Sequence, residues 1–345
     1  MTCLLREWPA LTPSGKRDRL WWIRSFFFEE VKMHRIATAT LLVLFALSSG
    51  LAAADLGVTV EPKKTALTLG EKLSVVLTVE NQGSRSLETA EAVNDIRSAF
   101  LEIGWKGRRF EFMRINPKFF DPILKGGDVK EYLKQVRIPP NGAETCTFEL
   151  LLPAAGTYRI RGVYKGTGER VLSPWTEVTV SPKGDVEALR VKMKTNKGTM
   201  VFGFYDGEAL GTVINFLLLV EQGFYDGLGF HRIIKDFMNQ GGDPDGNGSG
   251  GPGYFIPQEF NDLPHEPGVL SMARIGKHVD TAGSQIFLCA TMPVPTKRLL
   301  NRQYTVFGYT IEGLKVVEAI NSVQTRRDNR PVRPVTMEKV EILSE

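Results

Sequence analysis

The 345-residue chain is predicted to be mainly β and to fold as two domains. Over residues 55–182, apolar and polar side chains alternate along short stretches separated by turn residues, a pattern typical of a β-sandwich. Over residues 188–345, hairpins and apolar strands are interrupted twice by the period of an amphipathic helix. We therefore expect this second part to be an antiparallel barrel or sheet with two flanking helices, and residues 183–187 to be a short linker.

The segment "LSVVLTVE" carries the clearest strand pattern of the first domain. Four of its apolar side chains share one face: Leu73, Val75, Leu77 and Val79. Further along, "FLEIGWKGRRFEF" predicts a hairpin that turns at Lys106-Gly107. The order from "LGEKLSVVLTVENQG" to "LPAAGTYRIRGVY" resembles the immunoglobulin-like domains of exported bacterial proteins. No catalytic cluster is visible here, so residues 55–182 are expected to be an adapter or spacer, with carbohydrate or surface binding as the alternative.

Residues 33–54 are predicted to be a secretory signal peptide. The segment begins with a short basic stretch, continues with an apolar run too short to anchor in a bilayer, and ends in small residues before Asp55. The mature protein is then expected to be periplasmic or otherwise extracytoplasmic, with no stable membrane span. In front of Met33, "EEVK" can be encoded by a purine-rich ribosome-binding sequence. We therefore expect translation to start at Met33 and residues 1–32 to be a leader assigned in error; the alternative is an unusually long charged leader.

Charge and cysteine content argue against several classes of function. The formal net charge of +4 falls to +1 without residues 1–54, because these hold 7 of the 43 Lys/Arg and 4 of the 39 Asp/Glu, which leaves 36 against 35. No nucleic-acid-binding face is therefore expected. The mature chain retains Cys146 and Cys289, each in an apolar stretch, and both are expected to be buried free thiols. No metal-ligand spacing is present.

One hairpin and two helices are predicted in the second domain. "LRVKMKTNKGTMVFGFY" alternates in the manner of two strands, with a turn at residues 196–198. In "EALGTVINFLLLVEQG" the apolar residues recur at helical spacing up to Val220, and Gly223 is placed to end the helix. A second helix is predicted in "IEGLKVVEAINSV".

The glycine-rich segment "GGDPDGNGSGGPGYF" is open to several interpretations. Its G-x-G-x-x-G spacing is that of a dinucleotide-binding loop, but Pro252 follows where a helix would have to begin. Asp243, Asp245 and Asn247 have the spacing of a calcium-binding loop, which needs a glutamate where Tyr254 stands. A glycosylation sequon at Asn247 matters only in a host with that machinery. We therefore interpret the segment as a surface loop whose glycines supply positive φ.

The series "FHR", "FMNQGGD", "GSQIF" and "VFG" occurs in this order in the second domain. With its surroundings, over about residues 188–345, it resembles the cyclophilin family of peptidyl-prolyl cis-trans isomerases. The resemblance implies an eight-stranded antiparallel β-barrel capped by two α-helices. It also implies an enzyme that uses no cofactor and no metal, with proline-containing polypeptides as substrates.

By this resemblance, Arg232 is the catalytic residue. A twisted imide nitrogen is a better hydrogen-bond acceptor than a planar one, so a fixed, always charged donor stabilises the transition state although no proton moves. The apolar pocket for the proline ring is implied to consist of Phe237, Met238, Phe287 and Leu300. The implied substrate-binding residues also include His231, Gln240, Ala273, Arg274, Gln285 and Tyr304.

These further residues are expected to act in different ways. Gln240 would bond a substrate backbone group and help to orient the arginine, and Gln285 would line the same groove. The backbone of Ala273 and Arg274 would pair with an extended peptide. His231 is expected to pack against or support the arginine rather than to act as an acid or base.

Four positions depart from the common pattern of the family. Leu299 stands where a tryptophan is frequent, which puts tight cyclosporin binding in doubt. Tyr304 stands where many members carry histidine, and Arg274 replaces a frequent asparagine, so only its backbone role carries over. Asn239 replaces an apolar residue, for which the sequence offers no reason.

The sequence thus predicts an exported peptidyl-prolyl isomerase that assists folding where proline isomerisation is slow. The alternative is a catalytically weak module that binds proline-containing peptides or mediates adhesion. The presence of Arg232 together with Gln240 favours catalysis, because a pure binder needs no donor aimed at a twisted nitrogen. A protein partner of the first domain is left open.

Overall fold

A computed structural model of the chain shows predominantly strands, as the alternating patterns predict. The leader predicted at residues 1–32 and the signal peptide predicted at residues 33–54 lie outside the described residues. The residues that the structure describes are 55–90, 99–114, 135–165, 170–185, 187–291 and 293–343.

Eleven strands are described in the N-terminal half, and most of them form two sheets. One sheet has the order β1-β3-β8; the larger one has the order β2-β11-β9-β5-β6, with β10 paired to β9, and β4 pairs with β7. Their bounds are β1 Leu56–Pro62, β2 Ala66–Thr68, β3 Lys72–Asn81, β4 Leu87–Ala90, β5 Ala99–Trp105, β6 Arg108–Phe112, β7 Gln135–Ile138, β8 Ala143–Leu151, β9 Gly156–Tyr164, β10 Val171–Leu172 and β11 Thr176–Ser181.

The apolar faces of the two sheets meet in the core of this half. The face predicted for β3 is confirmed, since its side chains at Val75 and Leu77 have no exposed surface. The two sheets approach so closely that a Cβ at Gly162 on β9 would lie 2.8 Å from Val60 on β1. The hairpin predicted at Lys106-Gly107 is present between β5 and β6. The immunoglobulin-like assignment of residues 55–182 stays a prediction.

The C-terminal half contains the predicted eight-stranded antiparallel sheet, in the order β14-β15-β17-β16-β18-β13-β12-β19. A bridge between Gly229 and Thr336, just outside β14 and β19, brings the two edges of the sheet together. The strand bounds are β12 Arg190–Thr195, β13 Gly198–Phe204, β14 Arg232–Ile234, β15 Met238–Gly241, β16 Val269–Met272, β17 Ile286–Cys289, β18 Val306–Glu312 and β19 Met337–Leu343.

Three helices are described: α1 (Leu210–Glu221), α2 (Val294–Leu300) and α3 (Leu314–Asn321). The first and third confirm the two predicted helices. The short α2 was not predicted, because it buries only Leu300 and so has no apolar periodicity to reveal it. Among the described residues, no helix combines the length and the hydropathy that crossing a membrane requires.

Helix α1 is buried along its whole length up to Val220. One side faces the barrel, where the rings of Phe216 and Phe307 lie 5.3 Å apart, and other residues contact β6 and β8 of the N-terminal half. Its first turn is capped by the carboxylate of Glu259, which accepts hydrogen bonds from the backbone amides of Gly211 (3.0 Å) and Thr212 (2.7 Å). Burial raises the pKa of this carboxyl group. The helix is therefore buried between the two described halves and does not lie on the surface of either one.

The two halves are joined by polar contacts as well. Asp206 accepts a hydrogen bond from the indole of Trp105 at 3.3 Å and pairs with the ammonium group of Lys106 at 3.1 Å. At the end of the predicted linker, the carbonyl group of Glu187 accepts a hydrogen bond from the amide of Ala155 at 2.6 Å. The N-terminal half is thus bonded directly to the C-terminal half.

A buried pair of amide side chains explains the unusual Asn239 on β15. Asn239 has no exposed surface and donates a hydrogen bond to the carbonyl oxygen of Val317 on α3 at 3.0 Å. It accepts one at 2.9 Å from Asn321, which also donates to the carbonyl oxygen of Ile234 and accepts from the amide of Asp236. These bonds fix the turn between β14 and β15 against α3.

Replacement of Asn239 by leucine is expected to lower the free energy of unfolding by about 1–3 kcal/mol, because buried partners on α3 lose their hydrogen bonds. Urea unfolding of the purified protein measures this. The double variant Asn239→Leu/Asn321→Leu should cost less than the sum of the single variants, since it removes both partners together. Additive costs would contradict the proposed coupling.

Candidate active site

The register of three neighbouring strands places Arg232, Gln240 and Phe287 in one row. Arg232 on β14 is directly opposite Gln240 on β15, and Gln240 is directly opposite Phe287 on β17. Residues directly opposite on antiparallel strands point to the same side of a sheet. Met238, two residues before Gln240, points to that side as well. The strand pairing therefore brings a guanidinium, an amide and two apolar side chains to one surface.

These side chains line an open pocket at the surface of the C-terminal half. Its floor is an apolar cluster that includes the buried side chains of Met238, Phe287 and Leu300, with Phe237 packed against them. The guanidinium-bearing Arg232 is exposed at its rim. The residues lining the pocket are Arg232, Phe237, Met238, Gln240, Ala273, Arg274, Phe287, Leu300 and Tyr304.

Two aromatic contacts hold the ring of Phe287 in place. Tyr304 meets it edge to face, with ring centroids 5.7 Å apart, and the imidazole of His265 stacks on it at 5.8 Å. His265 has no exposed surface, and its ring nitrogens lie 3.0 Å from Asn301 Oδ1 and 3.1 Å from Ser271 Oγ. Burial lowers the pKa of His265. His265 could not be recognised as a site residue in the sequence, since a lone histidine in "LPHEPG" carries no distinguishing pattern.

A chain of hydrogen bonds holds the guanidinium of Arg232. It donates to Gln240 Oε1 at 3.0 Å, and Gln240 Nε2 donates to Gln285 Oε1 at 2.9 Å. Gln285 then donates to the carbonyl oxygens of Gly248 (3.0 Å) and Gly250 (2.9 Å). The arginine is thereby connected to the glycine-rich loop through two amide side chains.

The glycine-rich loop forms a second groove beside the pocket. The carboxylate of Asp243 accepts hydrogen bonds from the backbone amides of Asp245 and Asn247, both at 2.9 Å. Gly242 has φ +82°, and a Cβ there would lie 2.4 Å from the carbonyl oxygen of Ser284, so no side chain fits. The backbone amides of this turn are therefore hydrogen-bonded by the carboxylate of the turn's own Asp243. The described residues contain no cluster of potential metal ligands.

Two predicted residues lie outside the pocket. Gln285 lines the adjoining groove, which shares Gln240, Ala273 and Arg274 with the pocket. His231 does not line the pocket; its ring nitrogens are buried without a hydrogen-bond partner among the described residues, and burial lowers its pKa. A neutral imidazole at this place can pack beside the arginine but contributes no charge.

Two predictions at the pocket are refined by the structure. The amide of Ala273 donates to the carbonyl oxygen of Gln285 at 2.9 Å, so pairing with a peptide would use the other backbone groups of Ala273 and Arg274, and this pairing stays a prediction. On α2, Leu299 is 74% exposed whereas Leu300 is 7% exposed and lines the pocket. Leu299, which stands where the family frequently has tryptophan, therefore does not cover this side of the pocket.

The second half of the chain is similar to known proteins. Residues 190–342 match the family model "Cyclophilin type peptidyl-prolyl cis-trans isomerase/CLD". A peptidyl-prolyl cis-trans isomerase of Synechococcus elongatus is 50% identical over 132 residues, which are 38% of this chain and 87% of that protein. Peptidyl-prolyl cis-trans isomerase B of Bacillus subtilis is 46% identical over 131 residues, which are 37% of this chain and 87% of that protein.

A solved structure is also similar, that of a Cryptosporidium parvum cyclophilin-type peptidyl-prolyl cis-trans isomerase in the presence of the dipeptide Ala-Pro. It shares 30% identity with a TM-score of 0.42 and covers 45% of this chain and 99% of that chain. The sequence matches to the two bacterial proteins cover most of their length. This chain therefore belongs to the family of cyclophilin-type peptidyl-prolyl cis-trans isomerases.

Proposed function

We propose that this chain catalyses the rotation of X-Pro bonds with Arg232 as its catalytic residue, and that its substrates are proline-containing polypeptides outside the cytoplasm. The observation that carries the proposal is the position of Arg232. It is exposed at the rim of an apolar pocket and is held by Gln240 at 3.0 Å. An apolar pocket beside one fixed donor suits a substrate that is a proline ring next to an imide bond.

The chemistry needs no nucleophile and no proton transfer. The barrier to rotation, about 18–20 kcal/mol, comes from the amide resonance that is lost at the twist. At the twist the proline nitrogen regains its lone pair and accepts a hydrogen bond that the planar states accept poorly. A donor at that position therefore favours the transition state over both ground states.

Besides the donor, catalysis requires that one side of the X-Pro bond is held while the other side rotates. The pocket can hold the proline side. Phe237, Met238, Phe287 and Leu300 offer an apolar floor for the pyrrolidine ring. His265 and Tyr304 pack against the ring of Phe287 and restrict its movement. The peptide on the other side of the bond would lie along the groove that Gln285 lines, where it is free to rotate.

The alternative is a module that binds proline-containing peptides without efficient catalysis. Binding alone would need only the pocket and the groove. The two hydrogen-bonded glutamines behind Arg232 favour catalysis, because they fix the direction of a donor that a binding surface could leave mobile.

Replacement of Arg232 by alanine is expected to lower kcat/KM for an Ala-Pro peptide by about 10²- to 10³-fold, since a preorganised donor to the transition state is lost. Exchange NMR or a protease-coupled assay measures the rate. Arg190→Ala is the matched control, because Arg190 is an exposed arginine on β12 of the same sheet and should leave the rate unchanged. Rates that stay at the uncatalysed level for both wild type and Arg232→Ala would support the binding module instead, and equal rates above that level would contradict the role of Arg232.

The rate should not depend on pH between about pH 7 and 9, because the arginine stays charged and both His231 and His265 have lowered pKa values and stay neutral. Stability should behave differently. Below the ordinary histidine pKa of about 6.5 the unfolded chain takes up protons that the folded chain does not, so the free energy of unfolding should fall as the pH falls.

Activity assays and urea unfolding from about pH 5 to about pH 9, a span that includes the ordinary histidine pKa, test both statements. A sigmoidal loss of kcat/KM around the histidine pKa in protein that remains folded would show that a proton is involved in the reaction.

The extracytoplasmic location is proposed from the signal-peptide pattern of residues 33–54. Expression of the full chain in a bacterial host is expected to give an exported protein whose first residue is Asp55. N-terminal sequencing of the exported fraction and mass spectrometry of the precursor check this. Peptides containing "LWWIR" would contradict translation from Met33, and a cytoplasmic protein that keeps residues 33–54 would contradict export.

A further inference from the structure

A second guanidinium lines the proline pocket together with that of Arg232. Arg274 is half-buried on the wall that the pocket shares with the adjoining groove. Its guanidinium lies over the ring of Tyr304, 4.7 Å from the centroid. The family resemblance assigns only the backbone of Arg274 to substrate binding, so the position of this side chain requires its own explanation.

Two hydrogen bonds to backbone carbonyl oxygens hold the side chain of Arg274. Its Nε donates to the carbonyl oxygen of Gln303 at 3.3 Å, and Nη1 donates to the carbonyl oxygen of Gly276. With the stacking on Tyr304, these bonds leave it little conformational freedom. A guanidinium has five N–H donors, so most of them remain for a ligand. The cost of ordering this side chain on binding is therefore already met within the fold.

Within the described part of the chain, neither arginine at the pocket forms an ion pair with a carboxylate. The ion pairs among the described residues include Arg302 with Asp262 and Lys297 with Glu266 near the same end of the barrel, but none involves Arg232 or Arg274. Two guanidinium groups without an ion-pair partner among the described residues therefore lie beside an apolar pocket. An anionic group on a bound peptide would face two cations and no acidic side chain in contact with either of them.

A loop next to β14 extends the positive charge on the other side of the pocket. The amide of Ile233, the residue after Arg232, donates to the carbonyl oxygen of Asn329 at 2.8 Å, which attaches the segment "RRDNRPVR" to this strand. This segment carries four arginines and one aspartate, and its aspartate, Asp328, pairs with Arg330 at 3.6 Å. Exposed cations thus lie beside the pocket as well as within it.

We propose that Arg274 is a specificity-determining residue, which makes polypeptides with an acidic side chain next to the proline the preferred substrates. The inference rests on the proposed function and adds to it the chemical class of the substrate. A carboxylate on a residue flanking the proline would accept hydrogen bonds from Arg274 while the ring occupies the apolar pocket. A hydrogen bond between a carboxylate and a guanidinium is charge-assisted and is stronger than one between two neutral groups.

The experiment compares peptides that differ in one flanking residue. Two series, Ala-X-Pro-Phe and Ala-Ala-Pro-X, carry X as glutamate, glutamine or lysine, and exchange NMR gives kcat/KM for each. For wild type at low salt, at least one series should favour glutamate over glutamine by about three- to tenfold, as expected for a partly exposed charge pair, with lysine the poorest. The preference should shrink as the salt concentration rises.

The ratio of the glutamate to the glutamine peptide is then measured within each variant, so that a general loss of activity cancels. In Arg274→Gln the ratio should fall to about one, and Arg274→Lys should keep part of it because the charge is retained. Arg190→Gln changes the net charge equally on an exposed position of β12 and should keep the wild-type ratio.

Each outcome bears on one of the two claims. Equal rates for glutamate and glutamine peptides in both series of the wild type, or a preference that survives in Arg274→Gln, would overturn the role of Arg274 and leave the isomerase intact. Absence of turnover for all peptides, including the glutamine ones, would contradict the proposed function itself and this inference with it.

Discussion

The pairing register of β14, β15 and β17 is the constraint on which the site depends. Arg232 and Gln240 lie on the two strands of one hairpin, whereas Phe287 lies much further along the chain, and direct opposition across the sheet places all three on one surface. A slip of a single residue in β15 would turn Gln240 and Met238 to the other side. The donor and the apolar floor would then no longer face the same bond.

Several features of the structure prevent such a slip. Asn239 faces the opposite side of β15 from Gln240 and is bonded to α3, so the strand is fixed from behind by the residue between two site residues. In front, Gln285 connects the row to the glycine-rich loop. That loop is in turn followed by Phe255, which packs against buried residues of the N-terminal half, including Phe100. The site is therefore supported by elements from both halves of the chain.

Much of this could be predicted from the sequence, for identifiable physical reasons. The alternation of apolar side chains along β3 and their helical spacing along α1 follow from which side chains are buried. Such periodic patterns can be recognised in the sequence itself. Arg232 and its pocket were predicted because the "FHR" and "FMNQGGD" series is specific. Asn239 and His265 could not be interpreted, since the roles of a buried amide and a buried imidazole depend on partners on other elements. The orientation of Arg274 likewise depends on Tyr304, which lies on a different loop.

The burial of α1 on both sides has a consequence for how this protein can change in evolution. A helix at the surface of a free-standing isomerase needs a polar outer face, whereas "INFLLLV" offers almost none. Without the N-terminal half, the C-terminal half would expose the apolar side of α1 that now contacts β6 and β8. It therefore cannot be transferred unchanged into another protein. Recombination that separates the two halves would have to be accompanied by several polar substitutions in that one helix.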